Sequence, residues 1–205
     1  MTKLQHPTSA TRGPGRRPGS PDTRAAILAA ARELFAARGF AGTTIRAVGA
    51  QAEIDPAMVH HYFGTKDDLF LAAMELPVDP REVVGGVIAG PVEEAAERFL
   101  RAFLSVWDDP DVQPALLAVA RGVMDPSAHR LLSEGFLPVV IQPVGAALGI
   151  DRPEHRMALV ASQVMGLILV RYVMRVEPVA SLTGEQVVAT YAPTIQRYLT
   201  GDLPP

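Results

Sequence analysis

The sequence predicts an all-α fold of short N-terminal helices followed by a larger helical body. Three observations predict it. Apolar residues from position 22 onward recur at the i, i+3/i+4, i+7 spacing of a helical face. No stretch alternates apolar and polar residues like a half-buried strand, and no hairpin signal occurs. Asp or Thr caps, several followed by Pro at the first helical position, punctuate the chain at helical intervals.

Residues 1–21 hold four Pro, three Gly and four basic side chains with little apolar content. Such a segment cannot bury enough surface to offset its ordering entropy and reads as a flexible basic arm. Asp22 or Thr23 then caps a first helix with Ile27, Leu28, Ala31, Leu34 and Phe35 on one face, and Gly39 stops it. Thr43 caps a second, short helix bearing Ile45, Val48 and Ala52. Asp55-Pro56 opens a third, with Val59, Tyr62 and Phe63 on its apolar side, and Gly64-Thr65 ends it. Thr65 caps a fourth, about Lys66–Leu76, whose Asp67 and Asp68 oppose the positive dipole end.

A short, Gly-weakened helix follows over 81–89, and a longer one runs from Pro91 to about Trp107. Another spans Pro114–Met124. The segment from Asp125 to Leu148 contains Pro138 and Pro143, each without a backbone donor, and is expected to kink or divide. An apolar helix follows at 153–176, and a last amphipathic one runs from Gly184 to Leu199. The expected boundaries are 1–21 for the arm, 22–66 for the short helices and 67–205 for the body.

Composition excludes several classes. The chain has 205 residues, 20% of them charged, and no Cys, so disulfide frameworks, thiolate metal sites and cysteine nucleophiles are excluded. The start carries no signal-like apolar segment, and no window holds the ~18 uninterrupted apolar residues of a membrane span, since Gln163 and Arg171 break the nearest. A cytoplasmic protein without a membrane partner is expected. No Gly-rich phosphate loop, nucleophile elbow or one-helix metal pattern is present, so an enzyme and a bound cofactor are not expected. The net charge of −3 divides unevenly: residues 1–66 sum to +5 and residues 67–205 to −8. A basic end joined to an acidic body suits a polyanion partner at that end, unless the clustering is chance on a solvated surface. Arg32, Glu33 and Arg38 read as solvated faces.

The second and third helices have the layout of a helix-turn-helix, in which the second helix enters the major groove of double-stranded DNA with its N-terminal residues at base edges. Those residues are Asp55, Pro56, Ala57 and Met58, and the last three suit thymine methyl groups. In the arm, Gly15-Arg16-Arg17-Pro18-Gly19 suits insertion of Arg16 and Arg17 into a narrow minor groove, or a nonspecific attraction to phosphate.

Four runs strengthen this reading: Ala31 to Phe40, Thr43–Arg46, His61–Lys66 and the following Asp68-Leu69-Phe70. Together they resemble the N-terminal domain of TetR-type transcriptional regulators over about a quarter of the chain. The resemblance implies a homodimer that represses transcription from a palindromic operator until a small-molecule effector binds the body. It implies that Thr43 and Thr44 cap the second helix and face phosphate, that Arg46 reaches a base edge, and that Tyr62 and Lys66 contact phosphate. His60 stands at a position usually held by tyrosine, and Glu53 replaces the customary turn glycine, so that turn either avoids positive φ or carries strain.

The resemblance also places an effector pocket among the intervening helices, with Phe70, Met74, Phe99, Phe103, Trp107, Met124, Phe136 and Met165 as candidates that plain core packing explains equally. Arg101, Arg121, His129 and Gln142 are the nearby polar candidates. Ala158, Ala161, Ser162, Met165, Gly166 and Leu169 form a small-residue face that, with Val188, Tyr191 and Ile195, builds either a two-fold helical interface or intrachain core. A two-fold dimer sets its recognition helices about 34–36 Å apart. The rival reading is a helical ligand-binding dimer whose DNA binding is degenerate or nonspecific.

Overall fold

The structure is a computed structural model that describes residues 21–122 and 132–204; Arg16, Arg17, Met124 and His129 lie outside the described residues. The described elements are all helical. Helix α1 (Pro21–Arg38) buries the expected face of Ile27, Leu28, Ala31, Leu34 and Phe35, and Gly39 ends it at φ 70°.

Helix α2 (Ile45–Ala52) corrects the cap expected at Thr43. Thr44 is the N-cap, and its hydroxyl accepts from the Ala47 N–H at 3.1 Å. Thr43 is fully buried and donates its hydroxyl to the Gly39 carbonyl at 2.9 Å. That carbonyl lies at the end of α1 and holds Thr43 one residue outside the new helix. Helix α3 (Pro56–Phe63) starts as expected, with Asp55 accepting from the Ala57 N–H at 2.8 Å and Pro56 at its head.

Helix α4 (Lys66–Met74) is fixed by a reciprocal capping box. The Asp68 N–H donates to the Thr65 hydroxyl at 3.1 Å, and the Thr65 N–H donates to the Asp68 carboxylate at 3.1 Å. Arg81, on α5 (Pro80–Ile88), adds a 2.6 Å ion pair to the same carboxylate. A turn of 3₁₀ helix (Val92–Glu94) leads into α6 (Ala95–Trp107), followed by α7 (Gln113–Gly122).

The expected division at the prolines is seen. Pro138 lies inside a π-helical segment, Leu132–Ile141, where wide turns accommodate its missing donor; Pro143 sits in the first turn of α8 (Gln142–Ala147). Helix α9 (Pro153–Leu167) continues as a π segment through Ile168–Val173, and α10 (Gly184–Thr200) closes the fold. The run Pro153–Val173 is long and apolar enough by composition to cross a membrane, with a mean hydropathy of 1.4 in its best window. Only 28% of that window is buried within the chain. Arg171, which interrupts it, donates to the carbonyls of Val179 at 3.1 Å and Leu182 at 2.7 Å, and lies 3.6 Å from the Asp108 carboxylate.

The core has two parts. The first joins Ile27, Phe35, Val48, Val59, Phe63, Leu69 and Phe70 with Val140 of the π segment. The second joins α6 to α9 and α10 through residues such as Leu100, Leu104, Val160, Val187 and Ile195. Val84 and Ile141 pack against both parts. At Gly135 a Cβ would stand 2.3 Å from the ring of Phe70, so only glycine lets the π segment lie this close to α4. Arg32 is exposed, as its reading as a solvated face expects, and it also straps α1 to α4 through the Ala73 carbonyl at 3.1 Å and the Glu75 carboxylate.

The Thr65 hydroxyl and the Arg81 guanidinium hold the Asp68 carboxyl at about 2, below its ordinary 3.8. The depressed value means that Asp68 stabilises the fold fully above about pH 4 and ceases to do so as pH falls through 2. The stability difference between wild type and Asp68→Asn, measured by urea unfolding, is therefore expected to be constant from pH 7 to 5 and to shrink between pH 4 and 2.

Candidate nucleic-acid interface and apolar chambers

Two faces of α2 and α3 are set by what each helix must bury. Val48 and Gly49 of α2 and Val59 and Phe63 of α3 turn into the first core. Gly49 sets the crossing, because a Cβ there would stand 2.7 Å from the Ile54 carbonyl oxygen and 3.3 Å from Pro56. The opposite faces are open: Thr44, Arg46, Ala57, His60 and His61 are exposed, and Pro56 and Met58 are half-buried. Arg46 has no hydrogen bond or ion pair among the described residues. His60 Nδ1 lies 2.5 Å from the Gly64 carbonyl oxygen, which can only accept. Nδ1 therefore carries the proton, and in the neutral ring Nε2 is left as an acceptor.

Three residues expected at phosphate are turned elsewhere in this structure. Thr43 has its hydroxyl inside the fold, as described above. Tyr62 is half-buried, and its phenol oxygen is buried with no partner among the described residues. The aromatic ring is drawn into the core beside Phe63, with 6.3 Å between ring centroids, and this carries the hydroxyl inward. Lys66 turns its ammonium back onto the loop after α1, donating to the Phe40 carbonyl at 3.1 Å and lying 4.0 Å from the Phe40 ring centroid. Phe40 in turn meets Phe70 edge-on at 5.3 Å, so Lys66 locks the loop to the aromatic core. Gln51 went unnoticed in the sequence; it donates to Glu33 at 2.5 Å and ties α2 to α1. No spacing signal marks that pair.

Glu53 takes the left-handed conformation, φ 56° and ψ 38°, so the strained alternative for this turn is the one observed.

The body holds two adjoining apolar chambers of about 200 and 340 Å³. Of the pocket candidates, Met74, Phe99, Phe103, Trp107, Phe136 and Met165 line the first. Phe70 does not: it is fully buried in the first core, where it meets Phe35 and Phe40 edge-on at 5.1 and 5.3 Å. Arg101, Arg121 and Gln142 are absent from both linings, and Arg101 pairs with Glu185 at the surface. Val84, Val164 and Ile168, which line both chambers, carry no sequence signal that separates cavity lining from core.

The two-fold face expected on the last helices divides. Val188 and Ile195 are buried, 4% and 1% exposed, because α10 turns them onto the second core. Ala158 and Ser162 are exposed, while Ala161, Met165, Gly166, Leu169 and Tyr191 are half-buried. A Cβ at Gly166 would meet nothing.

Replacing Glu53 by Gly is expected to raise stability by about 1 kcal/mol, read from the urea midpoint, by relieving the left-handed strain. Tyr62→Phe removes an unpaired buried hydroxyl and is expected to raise stability by about 1 kcal/mol. The same variant is expected to leave DNA affinity unchanged, as measured by fluorescence anisotropy on a fixed duplex.

Comparison with known proteins gives independent matches to these two regions. Residues 27–73 match the family described as bacterial regulatory proteins, tetR family, and residues 93–199 match the tetracyclin repressor-like C-terminal domain. The second match alone covers just over half of the chain. An HTH-type transcriptional repressor of Mycobacterium tuberculosis is 44% identical over 57 residues, which are 28% of this chain and 30% of that protein. The HTH-type transcriptional regulator BetI of Brucella anthropi is 32% identical over 102 residues, covering 42% of this chain and 52% of BetI. The chain thus spans about a third to a half of the length of these curated relatives. A solved TetR-family regulator from Streptomyces coelicolor is 38% identical, with 91% of this chain and 99% of that one covered and a TM-score of 0.49. On the two family matches, this chain belongs to the TetR family of bacterial regulatory proteins.

Proposed function

We propose that the chain is a homodimeric, sequence-specific DNA-binding repressor of transcription, released from a palindromic operator by a small molecule bound in the body. The observation that carries this reading is the division of α3: Val59 and Phe63 are locked in the core while Ala57 and His60, like Arg46 of α2, are exposed. In the major groove, Arg46 offers a fork to guanine O6 and N7. Nε2 of neutral His60 accepts from a cytosine or adenine amino group, and Pro56, Ala57 and Met58 suit thymine methyls. Thr44, exposed at the head of α2, faces phosphate; Thr43, Tyr62 and Lys66 are left out of the contact set. Arg16 and Arg17 supply either minor-groove contacts or a general attraction to phosphate.

Support for the dimer comes from α9, whose apolar run is mostly unburied within the chain and whose small residues Ala158, Ser162 and Gly166 admit a close helix. Support for release comes from the π segment. Phe136 lines both chambers, and its neighbour Gly135 rests on Phe70 of α4. A molecule that displaces Phe136 therefore presses on the helix that seats α3, and it disfavours DNA binding if it favours the displaced arrangement.

Selection of bound sequences from a random duplex pool tests the reading. The expected product is a palindrome whose half-sites lie about one helical turn apart. Failure to enrich any motif favours a helical ligand-binding dimer with nonspecific DNA binding. Arg46→Ala is expected to lose about 1–3 kcal/mol of discrimination at one base pair per half-site, measured by competition between single-base operator variants.

A further inference from the structure

The two chambers share Val84, Phe99, Phe136, Ile141, Val164, Met165 and Ile168, so they are two ends of one space rather than separate sites. Among the described residues, neither lining contains Asp, Glu, Lys, Arg or His. Among the described lining residues Ser162 is the single hydroxyl side chain; it is exposed, borders the second chamber, and already donates to the Leu159 carbonyl at 2.7 Å. Along α9 and its π extension the lining runs from Met157 to Ile168, a rise of about 16 Å at 1.5 Å per residue. The space is therefore long, and its described residues offer an ion no counter-charge in exchange for its lost hydration.

We infer that this space takes one uncharged, extended apolar molecule, such as an unbranched alkyl chain with a neutral polar end, lying along α9 through both chambers. This rests on the effector reading above and names the ligand class that reading leaves open. The first chamber, bounded by Trp107 and Phe103, holds one end. The second, bounded by Leu148, Val144 and Leu199, holds the other.

Trp107 is the sole tryptophan of the chain and lines the first chamber, which makes its fluorescence a reporter of occupancy. The full chain is titrated with octan-1-ol, decan-1-ol and dodecan-1-ol. A saturable change is expected, with affinity rising about 15-fold for each pair of added methylenes, since each buried methylene gives about fourfold. Decanoate and decylammonium, which match decanol in length and carry opposite charges, are expected to bind at least about 100-fold more weakly. Val144→Phe and, separately, Leu148→Phe narrow only the second chamber, and each is expected to lose dodecanol affinity while keeping that for octanol. Equal binding of either ion, no saturable response to any alcohol, or an unchanged dodecanol affinity in both variants overturns the inference. Retention on an operator duplex is measured in the same samples. An alcohol that binds with these preferences yet leaves DNA bound overturns the effector reading and supports the ligand class.

Discussion

Helices of eight residues do not hold themselves in water, where isolated helices shorter than about 12–15 residues are marginal. Both α2 and α3 are of that length, so their position must come from what they bury and from how their ends are capped. Val48, Val59 and Phe63 supply the burial, Thr44 and Asp55 the caps, and Gly49 the close crossing. The surrounding sequence follows from the same demand. The Phe35, Phe40 and Phe70 rings form the platform beneath, Lys66 pins its loop, and Arg32 straps α1 to α4. Each of these side chains serves the outward face indirectly, by refusing it other orientations.

The same platform explains how the two ends of the molecule can influence one another. Phe70 is shared: α4 carries it, the aromatic cluster surrounds it, and the π segment touches it at Gly135. Close-packed interiors transmit displacement instead of absorbing it. One residue further along, Phe136 meets the apolar space. Adjacent residues of one irregular helix thus touch the first core and the apolar space, and the irregularity traces to Pro138, which disfavours a regular ladder there.

Much of this was legible in the sequence where a single chemical rule dominates. The caps at Asp55 and Thr65, the stop at Gly39 and the division at Pro138 and Pro143 follow from local backbone chemistry, and the structure has them. The helix-turn-helix face was equally legible, because periodicity separates Val59 and Phe63 from Ala57 and His60. The failures share a cause of their own. Thr43, Tyr62 and Lys66 are amphipathic, and which way each turns depends on neighbours distant in sequence: a carbonyl, an aromatic cluster and a loop. Phe70 was misplaced for the same reason, since an apolar ring at helical spacing fits core and cavity alike. Val188 and Ile195 show the limit for interfaces, because periodicity alone does not tell the core-facing apolar side of a helix from a partner-facing one. The six candidates that line the first chamber are methionines and aromatic residues, side chains whose helical spacing fits core and cavity alike.

Arg156, 4% exposed, joins the start of α9 to the end of α10 by pairing with Asp151 and donating to the carbonyls of Tyr198 and Gly201 at 2.8 and 3.0 Å. A buried guanidinium with every nitrogen engaged is costly to detach, since leaving it unpaired exposes its full desolvation penalty. These two helices are therefore welded as one rigid block at that end. Asp108 at the end of α6 is likewise tied to the continuation of α9 by Arg171 and Tyr172, so among the described residues it is α5 and the π segment Leu132–Ile141 that lack such a rivet to α9. The space thus has one wall pinned at its end and another without such a pin, and it is the second that rests on α4 through Gly135 and Phe70.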